Sequence, residues 1–229
     1  MATQIIPGVD AEYEEPVDLV EFHFTATDLT RRDFLQVLGA GLLIAVAADG
    51  ARAQVPKGGR RGGGGGQGAT SIAARVHIGK DGALTVMTGK VECGQGSRAE
   101  LTQAAAEELR VAAERVRLVM ADTALVPDDG GTFGSRSTPS TVPAVRQGCA
   151  AARDLLAATA AGRWGIDAKA VTVRDGAALD PGSERTFSYA DLASDEDASR
   201  AFTTATRPNV ALTAVDSWKI LGSPLARPR

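Results

Sequence analysis

The sequence predicts an α+β fold, a mixed sheet packed with helices, and three observations carry it. Residues 72–88 read as two strands around a Gly79-Lys-Asp-Gly82 turn. Residues 99–110, AELTQAAAEELR, have the composition of a strong helix. A second helical segment, dominated by small residues, begins near Thr141 or Val142 and ends at Trp164-Gly-Ile166.

Each element follows from its residues. Ile72-Ala-Ala-Arg-Val-His-Ile78 alternates weakly and Ala83-Leu-Thr-Val-Met-Thr88 returns, so the pair forms a hairpin. In the helix from about Arg98 to Arg110, Leu101, Ala104, Ala105 and Leu109 share one face, with Glu100, Glu107 and Glu108 expected away from it. Val116–Met120 is the next strand, and Asp122-Thr-Ala-Leu-Val-Pro127 turns out of it. Pro143 suits the first turn of the long helix, whose alanines allow close approach to a neighbour. Residues 171–179 read as a strand and turn, and Ser188 as the cap of a short helix. Asp195–Arg200 is a polar loop, and the tail from Trp218 reads as a strand leaving into a proline-bearing linker.

The beginning of the chain has a different character. AEYEEPVDLVEF is acidic and of disordered composition. Thr30-Arg-Arg-Asp-Phe-Leu-Gln36, an apolar run over Val37–Ala48 and Ala51-Arg-Ala53 together describe an export signal. The apolar run is too short for a transmembrane helix, which needs roughly 20 residues. The paired arginines resemble a twin-arginine signal, which implies export of a folded protein to the periplasm, with retention as a membrane anchor left open. Gly58–Gly68 is a flexible linker by composition. The expected organisation is therefore leader 1–53, linker 54–70, folded segment 71–216 and exit linker 217–229.

Composition excludes several function classes. A net charge of −3 gives no nucleic-acid signal. Cys93 and Cys149 form no CxxC pattern, and with only two histidines, His23 and His77, a His/Cys metal site is poorly supported. Cys93 reads as a small hydrophobe and His77 as a surface or core residue.

The chemistry concentrates in two glycine- and hydroxyl-rich loops flanking the first helix. One is Gly89-Lys-Val-Glu-Cys-Gly-Gln-Gly-Ser97, the other Asp129-Gly-Gly-Thr-Phe-Gly-Ser-Arg-Ser-Thr138. Free N–H groups at a helix entry and the helix dipole favour an anion. Gln95, Thr132, Ser135, Ser137 and Thr138 add donors and Arg136 a cation. Neither loop is a P-loop or a GxGxxG fingerprint. Glu92 is expected to hold the loop by accepting from its N–H groups, more than to act as a base. Capped turns without a ligand are the plain structural alternative.

The residues also carry a resemblance. Glu92, Gly94-Gln95-Gly96, Gln103, Ala106-Glu107, Leu109, Asp122-Thr123, Pro127, Thr132, Ser135 and Ser137 match, in order, the cofactor-binding part of the molybdenum subunit of the xanthine dehydrogenase/aldehyde oxidase family. With the twin-arginine start, the chain more narrowly resembles the large subunit of the isoquinoline 1-oxidoreductase type. The resemblance implies the molybdenum-cofactor-binding domain of a molybdenum hydroxylase, in part, and a molybdopterin cytosine dinucleotide as cofactor. Gly94, Gln95 and Gly96 would line the pterin, with Gln95 near the metal. Thr132, Ser135 and Ser137 would hold the pyrophosphate and nucleotide. The implied partners are the remainder of the molybdenum subunit, a [2Fe–2S] subunit and a membrane or periplasmic cytochrome c. The implied reaction is oxidation of an aldehyde or N-heterocycle. The hammerhead domain and the family's catalytic glutamate have no counterpart in these residues, so no catalytic residue and no metal ligand is assigned. This chain alone is expected to be inactive. The competing class is an exported, non-catalytic module that binds a nucleotide or another anion, or serves assembly.

Overall fold

The sheet grows from the hairpin. In the computed structural model, which describes residues 41–47, 72–195 and 210–224, β2 (Ile72–Gly79) and β3 (Leu84–Thr88) pair antiparallel. Gly82 closes their turn with φ +82°, a left-handed conformation that favours glycine, and its N–H donates to the Gly79 carbonyl. From β3 the chain runs through α1 (Ser97–Leu109) and a 3₁₀ turn to β4 (Val116–Met120), which pairs parallel to β3. The sheet is thus mixed, as the sequence predicts. Both loops of interest leave its β3/β4 end: the first follows β3 and the second follows β4 by a short turn.

The fourth strand differs from the sequence reading. β1 (Gly41–Ala47) lies antiparallel to β2 and completes the order β1-β2-β3-β4. Among the described residues the sheet therefore includes a strand thirty residues before the expected boundary at Ser71. The reason is periodicity: Leu42 and Ile44, two apart, both point into the core with Val76 and Ile78. A seven-residue apolar run suits a strand and a leader equally well. The paired arginines at 31–32, the Ala51-Arg-Ala53 pattern, the Gly58–Gly68 run and most of the Asp195–Arg200 loop lie outside the described residues.

α2 (Val142–Trp164) packs along α1 and beneath β1 and β2. A single π-turn, Ser137–Thr141, leads into it, and Gly165 ends it in the left-handed conformation. Leu101 and Leu109 of α1 meet Val145 and Leu156 of α2 in one core with Val86 and Leu118. Truncating any of these leucines to alanine costs about 2–5 kcal/mol. Cys149 is buried in the same core, and burial raises its thiol pKa far above the ordinary value. A small antiparallel sheet, β5 (Thr172–Arg174), β6 (Ala177–Leu179) and β7 (Thr186–Ser188), follows. Where the sequence reads a strand and turn over 171–179, Asp175 and Gly176, both at positive φ, form the turn and the chain pairs back on itself as β5 and β6. α3 (Tyr189–Ser194) starts at Ser188, whose hydroxyl accepts from the Asp191 N–H in a capping box, as expected.

Two further expectations change. Glu107 and Glu108 are not on a solvated face; they are 1% and 0% exposed. Glu108 pairs with Arg146 and Arg153 and accepts from the Thr213 N–H and hydroxyl. Glu107 accepts from the N–H groups of Lys219, Ile220 and Leu221. Burial would raise the Glu107 pKa, but these three donors and Arg110 lower it. Over residues 218–224 the tail is consequently not a strand. It is a turn-rich strap bound across α1, with Gln103 donating to the Ser223 carbonyl and accepting from the Gly222 N–H.

Candidate cofactor-binding site

The two loops are locked together below the surface. Asp129, at the start of the second loop, accepts from the Thr88 hydroxyl (2.7 Å), the Gly89 N–H (2.8 Å) and both terminal nitrogens of Arg75. The Asp129 and Arg75 side chains are only 4% and 5% exposed. Burial would raise the Asp129 pKa, but the Arg75 guanidinium and the neighbouring donors hold it below the usual carboxylate range. Gly89 is required by this approach: a Cβ there would lie 2.5 Å from the Pro127 carbonyl oxygen. Lys90, itself buried, donates to the carbonyls of Gly130 (3.3 Å) and Gly131 (2.9 Å). The Val91 N–H donates to the Thr132 hydroxyl at 2.8 Å. Farther along, the Thr138 hydroxyl donates to Glu100 on α1 at 3.0 Å.

The first loop satisfies itself. The Glu92 carboxylate accepts from the N–H groups of Gly94 (2.7 Å), Gly96 (3.1 Å) and Arg98 (2.7 Å) and from the Ser97 hydroxyl. The Arg98 and Gly96 N–H groups are the main cause of its lowered pKa, about 2. Gly94 and Gly96, at φ +91° and +83°, supply the left-handed backbone that brings those N–H groups onto one carboxylate. The Gln95 amide donates to the Val91 carbonyl (2.8 Å) and the Ser97 hydroxyl (3.0 Å), and its oxygen accepts from the Cys93 N–H. Glu92 therefore occupies the helix entry that the sequence reading left open for a phosphate. This sharpens the role expected of Glu92 and moves the anion-binding capacity elsewhere.

At the cleft, the side-chain donors without partners are in the second loop. Ser135 stands at φ +54°, and the hydroxyls of Ser135 and Ser137 and the Arg136 guanidinium have no hydrogen-bond partner among the described residues. Gln95 and Ser97 from the first loop, with Thr132, Phe133, Ser135 and Ser137 from the second, line one open cleft of about 430 Å³. Four of the six sequence-predicted residues, Gln95, Thr132, Ser135 and Ser137, thus meet in that cleft, while Gly94 and Gly96 do not line it. Arg136 and Glu100 also face it.

Two lining residues were not legible as such. Cys93, read as a small hydrophobe, is exposed at the cleft, next to the left-handed Gly94. Phe133 is 72% exposed, an unusual position for an aromatic ring within a loop of small polar residues. Its ring lies against Gly131, where a Cβ would come within 2.4 Å of it. Its flanking Gly-Thr and Gly-Ser pairs were the available signal. His77, 1% exposed, is a core residue in β2. Among the described residues no three His, Cys, Asp or Glu side chains gather as a metal site. The chemistry of the cleft, with free hydroxyls, one cation and an exposed ring face, fits a ligand that combines phosphates with a flat heterocycle.

An α+β scaffold with two interlocked loops presenting such a cleft defines a cofactor-binding domain. The chain belongs to the molybdopterin cofactor-binding domain family, whose model matches residues 26–225. It is 31% identical over 121 residues to a nicotinate dehydrogenase component of Pseudomonas putida, covering 53% of this chain and 10% of that protein. It is 31% identical over 140 residues to the gamma component of the 6-hydroxypseudooxynicotine dehydrogenase complex of Paenarthrobacter nicotinovorans (61% and 18%). It is 32% identical over 129 residues to the beta component of isoquinoline 1-oxidoreductase of Brevundimonas diminuta (53% and 16%). Among solved structures, the Cu,Mo-CO dehydrogenase aligns at 22% identity with a TM-score of 0.46, over 52% of this chain and 15% of that one. The chain spans no more than 18% of the length of the three relatives named.

Proposed function

We propose that this chain forms one wall of a molybdopterin cytosine dinucleotide site in the large subunit of a molybdenum hydroxylase. The observation that carries the reading is the division of labour in the cleft: the first loop is closed on Glu92, and the second presents Ser135, Arg136 and Ser137 unpaired. The free hydroxyls and guanidinium bind the pyrophosphate by charge-assisted hydrogen bonds. Phe133 offers its open face to a flat ring. Gln95, held by Val91 and Ser97, keeps the first loop rigid against the pterin side. Bound, the cofactor supplies the redox centre for hydroxylating an electron-poor carbon with oxygen from water.

The substrate class is an aldehyde or an N-heterocycle, and the nicotinate and isoquinoline enzymes among the named relatives are named for N-heterocycles. The partners are the remainder of the molybdenum subunit, a [2Fe–2S] subunit and an acceptor cytochrome c. Arg31 and Arg32, followed by a short apolar run, direct the chain to the periplasm.

The test is to isolate the assembled enzyme from its host through a tag on this chain, hydrolyse it in acid and identify the nucleotide released. Cytidine monophosphate together with molybdenum is expected. A different nucleotide overturns the cytosine form, and absence of both nucleotide and molybdenum overturns the cofactor site. The purified chain by itself is expected to oxidise no aldehyde or N-heterocycle with an artificial electron acceptor.

A further inference from the structure

We propose that the apolar segment of the leader is a permanent strand of the domain, so that the mature protein keeps residues 41–47 and is not processed after Ala53. The inference rests on β1, which lies within the apolar run on which the export reading also draws. Gly41–Ala47 pairs with β2 along seven positions, from Gly41 opposite Gly79 to Ala47 opposite Ile72, with one irregularity between Ile44 and Ala45. Leu42 and Ile44 are 2% and 0% exposed and belong to the same core as Val76, Ile78 and Leu156. Both α2 and α3 pack against this strand.

The fit is also specific to sequence. A Cβ at position 41 would lie 2.2 Å from the Ile78 carbonyl oxygen and 2.8 Å from His77 Nε2, so the approach needs Gly41. Removing β1 would open the core beneath Val76 and Ile78 and strip β2 of its seven paired positions. An antiparallel neighbour needs only a short connection. Residues 48–71, with the Gly58–Gly68 run, are more than long enough to make it. A cut after Ala53 would fall within that connection and sever β1 from the domain it completes.

The experiment uses the full chain with a site-specific protease sequence inserted between Gly62 and Gly66. After cutting, the amino-terminal fragment is expected to co-elute with the domain in native size exclusion and to separate only in denaturant. In the double variant L42D/I44D the cut fragment is expected to depart under native conditions. Release of the wild-type fragment, with the domain keeping its elution volume and thermal midpoint, would overturn the proposal. So would an amino-terminus at Gln54 in the chain recovered from its host. An amino-terminus upstream of Gly41 supports it. Recovery of the wild-type chain in the cytoplasm alone would sink the export reading, and the co-elution measurement would still judge the strand.

Discussion

The first loop, Gly89–Ser97, and the second, Asp129–Thr138, look equivalent in composition and behave oppositely. In the first, the N–H groups of Gly94, Gly96 and Arg98 close on Glu92, so those donors are spent. In the second, the buried Asp129 side chain and the Thr132 hydroxyl hold a stretch whose Ser135, Arg136 and Ser137 side chains face the cleft unpaired. The difference lies in where the carboxylate sits. Glu92 is inside its loop and folds it around itself, whereas Asp129 is at the root of its loop and leaves the tip free. A glycine-rich helix entry is an anion site only when the protein does not bring its own anion.

The strongest way to break this arrangement is at the root. Replacing Asp129 by alanine leaves Arg75 buried and unpaired and releases the Thr88 and Gly89 donors. Breaking a buried pair in this way costs about 3–5 kcal/mol, which is to be read from urea unfolding of the chain. The double variant R75M/D129L, which removes both charges, is expected to recover part of that loss. If D129A unfolds at the wild-type urea midpoint, the two loops are not held by this pair.

At the tip the expectation inverts. Replacing Arg136 by alanine should change stability by no more than about 0.5 kcal/mol, since its guanidinium anchors nothing in the described residues. Cofactor retention in the assembled enzyme should fall about tenfold or more, because a hydrogen bond to a charged group contributes about 1.5–3 kcal/mol. The double variant S135A/S137A should act in the same direction by a smaller factor. Unchanged molybdenum and nucleotide content after dilution and gel filtration of both variants would show that the second loop does not hold the phosphates.

Glu92 distinguishes the loops by pH. Its carboxyl is lowered from 4.5 to about 2 by the loop N–H groups, so the folded state favours the ionised form. The resulting stabilisation is complete above the ordinary value and is lost as pH falls from about 4.5 toward 2. E92Q is expected to be less stable than the wild type at neutral pH, with the two curves converging in acid. A constant difference between them across pH 2–6 in thermal unfolding would mean that the N–H groups do not favour the charged carboxylate.

The features that were legible in the sequence are those with local causes. Asp81-Gly82 specifies the hairpin, Pro143 the opening of α2 and Ser188 the cap of α3, each through backbone conformation within a few residues. The role of Glu92 in holding the first loop was legible for the same reason. What escaped was decided at a distance. Glu107 and Glu108 read as surface residues because their partners, Arg146, Arg153, Thr213 and residues 219–221, lie far along the chain. β1 reads as a leader because an apolar heptad carries no mark of the strand it will pair with. Gln95 reads as a free donor because nothing in Gly94-Gln-Gly96 says that Val91 and Ser97 will take its amide.

The smallest effect is expected at Phe133, and it tests whether the open loop contributes more than charge. The ring is 72% exposed and one side of it rests near Gly131, so removing it sacrifices little packing. F133A should therefore leave the unfolding midpoint of the chain almost unchanged. An aromatic contact contributes about 0.5–1.5 kcal/mol beyond the area it buries, which corresponds to a loss of roughly two- to tenfold in cofactor retention. F133Y and F133W, which keep a flat ring, should retain the cofactor, whereas F133L, which keeps apolar volume without the ring, should behave like F133A. If F133L retains it as well as the wild type, the residue acts through apolar contact alone. If all four variants assemble poorly even when the enzyme is made without molybdenum, the exposed ring serves the junction with the remainder of the subunit and not the ligand.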